Sequence, residues 1–278
     1  MSVLVFTLII LVGSYAAGLL GSLTGLGGGV VIIPLLTLML KVDIHYAIGA
    51  SLVSVIATSS GSAAAYVKEG ITNMRLGIFL EIATTAGAMC GAILAVSLPT
   101  HYIAILFGVI LTLSALLSLR KKAEQITHKK NVLAEKLKLN NNYPTINGPV
   151  DYSVSRVGGG FVMMIFAGTL SGLLGIGSGA LKVIAMDTIM RIPFKVSTTT
   201  SNFMIGVTAS ASAVVYLQRG YISPGLVMPV VIGVLLGALT GSKILVNTSS
   251  SRWLRWVFAF VVTFLAGQMI YNGVAGKI

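Results

Sequence analysis

The sequence predicts an all-α polytopic membrane protein built from two inverted-topology repeats of about five hydrophobic helical segments each. Three observations support this prediction: the composition, an internal repeat and the distribution of basic residues. Hydrophobic residues make up 55% of the 278 residues and charged residues only 9%, whereas a soluble domain carries about 25% charged residues. Because an open sheet edge cannot satisfy its backbone groups in lipid, the spanning segments are expected to be helices.

Ten apolar runs follow one another along the chain, most of them near the ~20 residues that cross a bilayer. In the first half they lie at 3–22, 28–40, 46–66, 76–97 and 102–119. In the second half they lie at 157–174, 179–190, 197–217, 223–247 and 253–273. We therefore divide the chain into membrane repeat 1 (1–119), a basic linker (120–156) and membrane repeat 2 (157–278).

The two halves resemble each other in sequence. A shift of 150 residues places Ala17–Gly91 on Ala167–Gly241 without a gap. Identical residues at matched positions include Gly25/Gly175, Gly27/Gly177, Gly29/Gly179, Ser51/Ser201, Tyr66/Tyr216 and Gly87/Gly237. Duplicated hydrophobic halves are typical of membrane transporters.

The orientation of the halves follows from the number of segments and from charge. Five segments per half is an odd number, so the second half is expected to insert upside down relative to the first. With the linker in the cytoplasm, 15 basic residues lie inside and 3 outside, while Lys182 stays within the membrane. This bias obeys the positive-inside rule, and parallel repeats would spoil it. The net charge of +12 is therefore attributed to membrane orientation, and no nucleic-acid partner is expected.

The linker is the one long polar segment, and it holds eight of the 19 basic residues. We interpret it as a solvated connection, with a short basic helix within Lys121–Leu139 and turns at Asn140–Pro144 and Asn147–Pro149. The alternative is a site for anionic lipid headgroups.

Two glycine clusters, Gly25–Gly29 and Gly175–Gly179, form the strongest local motif. Each opens an apolar run of about a dozen residues, which at 1.5 Å per residue spans about 18 Å, well below the ~30 Å hydrocarbon core. We expect these helices to begin inside the membrane. The alternative is a turn near an interface, with tilted partner helices.

An anion site is the functional interpretation of these clusters. The first N–H groups of a helix lack intrahelical partners and lie at the positive end of its dipole, and inverted symmetry would bring two such helix starts to one cavity. The candidate substrate-binding residues here are Gly25, Gly27, Gly28, Gly29, Gly175, Gly177, Ser178 and Gly179. The alternative is that the glycines only allow close helix packing.

Lys182 follows the second cluster within an apolar run. A lysine in mid-bilayer costs about 2.5–3.5 kcal/mol on insertion scales, so it needs a partner or a purpose. The functional interpretation is a cation that faces the anion cavity. The alternatives are a lysine that snorkels to the outer interface or one that pairs with Asp187.

The runs 46–66 and 197–217 are rich in serine and threonine. Most of these hydroxyls are expected to bond within or across helices, but Ser51, Ser201 and Asn202 lie near the starts of matched helices and are candidate substrate donors. Glu81 is a candidate for proton coupling, because intramembrane carboxylates often relay protons. Its alternative position is the interface, near Arg75.

No catalytic constellation is recognisable, so the protein is not expected to be an enzyme. The three histidines, His45, His101 and His128, lack metal-ligand spacing, and Cys90 is the only cysteine. We predict neither a metal site nor a cofactor.

Several motifs resemble the TauE/SafE sulfite exporter family of membrane permeases. They are Leu19–Gly29 with the following Pro34, Ser171–Gly179, Thr198–Asn202 and Gly220–Pro224, and the resemblance covers nearly the whole chain except the linker. It implies multi-pass transport of sulfur-containing anions in a bacterial or archaeal inner membrane, with the glycine turns and the serine- and threonine-rich helices along the path. Ser178 departs from the first turn, which has Gly28 there.

The function expected from residues and resemblance together is export of sulfite or an organosulfonate by alternating access. The expected partners are a small anionic substrate and the lipid bilayer. Either a proton gradient acting through Glu81 or the membrane potential would drive the export. The alternatives are a passive anion channel and a permease that imports another small anion such as thiosulfate.

Overall fold

The computed structural model describes residues 3–24, 28–68, 70–119, 131–145, 148–247 and 251–277. In the first half the helices are α1 (Val3–Thr24), α2 (Gly29–Pro34), α3 (Ile44–Lys68), α4 (Met74–Ser97) and α5 (Thr100–Leu119). In the second half they are α7 (Val157–Leu174), α8 (Gly179–Ile184), α9 (Phe194–Gln218), α10 (Pro224–Asn247) and α11 (Ser251–Val274). The linker contributes α6 (Val132–Lys136) and the strands β1 (Asn141–Thr145) and β2 (Gly148–Tyr152).

The internal repeat extends to the bounds of the helices. The bounds of α2, α3 and α4 differ from those of α8, α9 and α10 by 150 residues. The short helices α2 and α8 each continue into a five-residue π-helical turn, Leu35–Met39 and Ala185–Ile189. Shortly after each turn lies a basic residue in the left-handed region, Lys41 or Arg191, both with φ of 55°.

Glycines bring helices of different halves into backbone contact. Along α10, Gly233 lies against Leu11 and Gly237 lies against Tyr15 and Leu19 of α1, so α1 and α10 run parallel. Small residues allow such close approach of helices.

The corresponding pair under the repeat is α4 with α7, which also joins the two halves. Gly168 lies against Thr84 and Gly172 lies against Ala88, so these two helices are also parallel. The helix pairs α3 with α9, α5 with α11, α4 with α9 and α3 with α10 are further contacts between the halves.

Within the described ranges, four helical segments are long and apolar enough to cross a membrane, on length and composition alone. They are Ile44–Gly61, Met74–Ser97, Val157–Leu174 and Phe194–Gln218. Shorter apolar helices accompany them at Leu4–Leu20, Gly29–Met39, Thr100–Leu116, Pro224–Thr240 and Ala259–Val274. About 80% of the structure is helical, consistent with an all-α membrane protein.

The described part of the linker is more ordered than the predicted solvated connection with turns. Residues 121–130 of the expected basic helix lie outside the described residues, and α6 lies within the remainder. Strand β1 pairs with β2 in an antiparallel hairpin with Asn141 opposite Tyr152. Asn73, in the loop before α4, donates through Nδ2 to the Leu139 carbonyl oxygen at 2.8 Å and to the Tyr152 hydroxyl at 2.9 Å.

An apolar cluster lies between the linker and the membrane helices. It contains the linker residues Ala134, Leu139, Tyr143, Tyr152 and Val154, together with residues of α4, α7 and α9 and of the π-helical turn after α8, among them Leu80, Met164, Met186 and Met204. The linker thus docks on the end of the bundle where α4 and α9 begin. Its two-residue periodicity is short and interrupted by Pro144 and Pro149, which explains why the sequence indicated turns instead of strands.

Candidate functional site

The second glycine cluster forms a turn that only an unusual backbone permits. Gly175 ends α7 with φ of 66°, Gly177 has φ of 70°, and Ser178 has φ of 41°. Helix α8 then begins at Gly179, where the Ser178 carbonyl oxygen accepts from the backbone N–H groups of Leu181 and Lys182. The strained left-handed Ser178 is held by its hydroxyl, which donates to the Ala167 carbonyl oxygen.

The first glycine cluster is described only at its end. Gly25 and Gly27 lie outside the described residues, whereas Gly28 precedes α2 with a right-handed φ of −68°. The two clusters therefore differ at their last residue before the helix, although α2 and α8 match in length. The difference is the reverse of what composition suggests, because the serine and not the glycine takes the left-handed conformation.

The two clusters meet at Gly29, Ser51 and Gly175. The Ser51 hydroxyl donates to the Gly175 carbonyl oxygen at 2.8 Å, and a Cβ added to Gly29 would lie 3.3 Å from the same oxygen. A cavity of about 10 Å³ is lined by Val30 of α2 together with Ser178 and Gly179. This volume holds about one water molecule, so this cavity is too small for an oxyanion.

The predicted hydroxyl donors are engaged with backbone oxygens. Ser201 donates to the Gly179 carbonyl oxygen at 3.2 Å, so Ser51 and Ser201 each hold part of the second glycine turn. Asn202 is half-buried on α9 and is not part of this contact.

Lys182 is completely buried, with 0% of its surface exposed. Its Nζ donates to Oγ1 of Thr208 on α9. The snorkelling alternative is therefore wrong, and the described hydrogen bonds join Lys182 to α9 rather than to Asp187.

Glu81 lies on the other side of Thr208. Its Oε1 accepts from Thr208 Oγ1 at 2.7 Å and from Thr85 Oγ1 at 3.1 Å. The side chain is 8% exposed, so it is buried among the helices, whereas Arg75 is exposed. Its Oε2 is buried and has no hydrogen-bond partner among the residues that the structure describes.

One hydroxyl thus connects a carboxylate of repeat 1 to an ammonium of repeat 2. We call Glu81, Thr208 and Lys182 the ionisable set. Nζ and Oε1 are no more than about 5 Å apart, since both lie within hydrogen-bonding distance of Oγ1. Thr208 Oγ1 also lies 2.8 Å from the Met204 carbonyl oxygen, so its single proton has two competing acceptors.

Sequence reasoning singled out Lys182 and Glu81 separately but missed Thr208 and Thr85. The only signal for Thr208 was its match with Thr58 under the repeat, which did not distinguish it from the other hydroxyls of α9. At the matched positions, Lys182 corresponds to Ile32 in the first half and Glu81 corresponds to Val231 in the second half. The repeat therefore does not duplicate the two charged residues of the ionisable set.

A larger cavity of about 260 Å³ lies where α3 crosses α9. Its lining combines serines with small and apolar residues: Ile56, Ser59, Ser60, Phe203, Gly206, Val207 and Ser210. Ser60 and Ser210 donate to carbonyl oxygens of their own helices. Within the described ranges, no three histidine, cysteine, aspartate or glutamate residues are grouped so as to hold a metal ion.

Comparison with known proteins places the chain in a family. The family model described as "Sulfite exporter TauE/SafE" matches residues 9–269. The chain belongs to the TauE/SafE family. The match includes both glycine clusters and the whole ionisable set, so the resemblance seen in the sequence motifs is confirmed.

Similar proteins in this family carry transporter names. The chain is 29% identical over 277 residues, 97% of its length and 98% of the relative's, to "Probable membrane transporter protein YunE" of Bacillus subtilis (strain 168). It is 29% identical over 236 residues, 85% and 89% of the two lengths, to "Probable membrane transporter protein YdhB" of the same organism.

A third relative is a "Probable membrane transporter protein" of Xylella fastidiosa (strain Temecula1 / ATCC 700964), 25% identical over 281 residues and 98% of both lengths. No solved structure matches the chain at a significant level. The family and these names support a membrane transporter rather than an enzyme.

Proposed function

We propose that this TauE/SafE protein exports a small sulfur-containing anion, sulfite or an organosulfonate, across the cell (inner) membrane by alternating access. The observation that carries the proposal is the fully buried Lys182, three residues after Gly179 on a short helix between the halves. An ammonium in such a place is costly unless it has a function. Attraction of an anion is the function that fits the family description.

In this proposal the two repeats are inverted relative to each other and move against each other during transport. The parallel pairs α1 with α10 and α4 with α7 support them. Since α1 corresponds to α7 and α4 to α10, each contact joins the first long helix of one repeat to the third long helix of the other. If each short helix counts as one crossing of the membrane, α1 and α4 cross it in opposite directions. Because α10 is parallel to α1 and α7 is parallel to α4, α7 then crosses in the direction opposite to α1. The second repeat is therefore upside down relative to the first in this proposal. The linker would lie in the cytoplasm, where most basic residues are expected.

The glycine turns and Lys182 together would form the substrate site. The turns can bring backbone N–H groups close to an anion, and Lys182 adds a charge on the same short helix as Gly179. In the present conformation, Ser51 and Gly175 hold the turns together around a water-sized space. Rocking of one half against the other would open that space and admit an oxyanion from one side at a time.

Flux of radiolabelled sulfite into proteoliposomes tests the proposal. A carrier gives saturable flux that accelerates when excess unlabelled sulfite is present on the far side. A passive channel, the second candidate, gives flux that neither saturates nor accelerates. Flux no greater than that of empty liposomes, for sulfite and for organosulfonates alike, would overturn the assignment of the substrate.

A further inference from the structure

We propose that Glu81 is an internal substitute for the substrate anion, so that each transported anion moves together with one proton. The inference rests on the proposed function, because it names how that same site is coupled. It follows from the three side chains of the ionisable set and from their burial.

The present conformation keeps the charge of Lys182 balanced internally. Nζ and the Glu81 carboxylate contact the same Thr208 oxygen, and both side chains are buried. A buried charge without a partner is strongly unfavourable. The carboxylate therefore balances the charge of Lys182 through the shared Thr208 oxygen, as an anionic substrate bound to Lys182 would do.

Charge balance then fixes the number of protons. The empty pair carries one proton, whether on Lys182 as the ion pair or on Glu81 as the neutral pair. When a monoanion binds, the site is neutral only if Lys182 and Glu81 are both protonated. Binding one anion thus takes up one proton, whichever residue held the first.

The unused atoms of the set fit this exchange. Glu81 Oε2 is buried without a hydrogen-bond partner, so it can accept the proton. An ammonium has three N–H donors, and Thr208 takes one of those of Lys182 in the described contacts. The other two remain available for an oxyanion.

Among the described residues, the other acid–base pair is Asp43 with His45 at the start of α3, and His45 lies beside the Ala95 carbonyl oxygen, near the end of α4 that is remote from Glu81. The described hydrogen bonds connect Lys182 to Glu81 through Thr208. Asp187 lies on the π-helical turn that follows α8. The other described ionisable side chains on α4 and on the helices packed against it lie at or near helix ends: Arg75, His45, Tyr46, Lys68, Arg156, Lys195 and Tyr216. Cys90 lies on the exposed side of α4. One anion and one proton per cycle make transport electroneutral, so the combined gradients of anion and proton, and not the membrane potential, set its direction.

The test uses the full-length protein in proteoliposomes with a trapped pH-sensitive dye and labelled isethionate, a sulfonate that stays ionised and cannot itself carry protons. Potassium and valinomycin set the membrane potential. We expect protons to accompany isethionate in the same direction, one per anion, at a rate independent of potential. Isethionate flux without protons, accelerated by potential, would overturn the inference while leaving the proposed function intact.

Two variants sharpen the test. Glu81→Gln mimics the protonated carboxyl, so it should transport isethionate without protons and become dependent on potential. The matched control is Glu135→Gln in the exposed linker, which should keep the coupling of the unchanged protein. If neither sulfite nor isethionate moves through the unchanged protein, the proposed function fails and this inference fails with it.

A binding measurement covers the case in which Glu81→Gln does not fold. Uptake of one proton on binding means that isethionate affinity, followed by thermal stabilisation of the detergent-solubilised protein, rises up to tenfold for each pH unit lowered. An affinity that does not change with pH would contradict the exchange. The Glu135→Gln control should show the same pH dependence as the unchanged protein.

Discussion

The hydroxyl of Ser51 in repeat 1 donates a hydrogen bond of 2.8 Å to the carbonyl oxygen of Gly175 in repeat 2. The bond joins α3 to the turn that precedes α8, and it closes the space between the two helix starts. Its donor is therefore occupied in this conformation. A conformation that admits substrate between the turns would have to release it, so Ser51 would link the closure of the halves to the proposed substrate site.

Substitution Ser51→Ala tests this link. The buried Gly175 carbonyl oxygen would lose its described partner, which costs about 1–3 kcal/mol, so we expect a lower melting temperature in detergent and altered counterflow. Ser60→Ala on the same helix is the control, because Ser60 is exposed and bonds to the Ile56 carbonyl oxygen. Equal melting temperatures for the two variants would show that the Ser51 bond does not hold the halves together.

Substitution Lys182→Met should abolish sulfite flux. It also leaves Glu81 buried without its counter-charge, and breaking a buried pair from one side costs about 3–5 kcal/mol. Lys41→Met, at an exposed lysine beyond the first π-helical turn, serves as the control. Flux at the unchanged rate and affinity would remove Lys182 from the transport site.

The double variant Lys182→Met with Glu81→Leu separates stability from function. Replacing both charges by apolar side chains should restore the melting temperature, since an apolar pair avoids the desolvation of buried ions. Transport should stay lost. Recovery of both properties would mean that the pair is only structural.

Thr208 is expected to act as a positioning residue between Lys182 and Glu81. Thr208→Val keeps the shape but removes the hydroxyl, so we expect the proton-to-anion ratio to fall, whereas Thr208→Ser should retain it. Thr58→Val, at the matching position of repeat 1, should leave the ratio unchanged. The ratio is measured with the pH dye and labelled isethionate, and an unaltered ratio in Thr208→Val would exclude the bridging role.

The sequence allowed the fold to be predicted further than the site. The repeat and the glycine clusters located α2 and α8, because a shift of 150 residues and a helix start after glycine are local signals. The contact of Thr208 with Glu81 has no such signal, since it depends on which turn of α4 faces α9. That register depends on side chains of α9 that pack against glycines of α4, such as Thr200 and Phe203 against Gly77, and the linker hairpin likewise depends on docking to Asn73.

Docking of the linker gives a prediction for alkaline pH. Burial raises the pKa of Tyr152 to about 12, and the hydrogen bond from Asn73 lowers it by less. Because the pKa is raised on folding, the stabilisation is complete below the ordinary value of about 10 and is lost as pH rises through the folded value. We therefore expect the linker to undock between about pH 10 and pH 12.

Tyrosinate absorbance measures this transition. The difference between the unchanged protein and Tyr152→Phe should show one tyrosine with a midpoint near pH 12. Tyr271→Phe, which removes an exposed tyrosine of α11, should not remove that component. A Tyr152 component centred near pH 10 would mean that the hydroxyl is not buried against Asn73.

The contact between α4 and α7 predicts opposite effects for two glycine substitutions. A Cβ at Gly91 would collide with the Thr169 carbonyl oxygen, whereas a Cβ at Gly267 of α11 meets nothing within 4 Å. Overpacking typically costs about 1–3 kcal/mol, so Gly91→Ala should melt at a lower temperature. Gly267→Ala should gain up to about 1 kcal/mol, because alanine loses less backbone freedom in a helix. Since the collision is with backbone, neighbouring side chains cannot relieve it, and equal melting temperatures would show that α4 and α7 do not pack backbone to backbone.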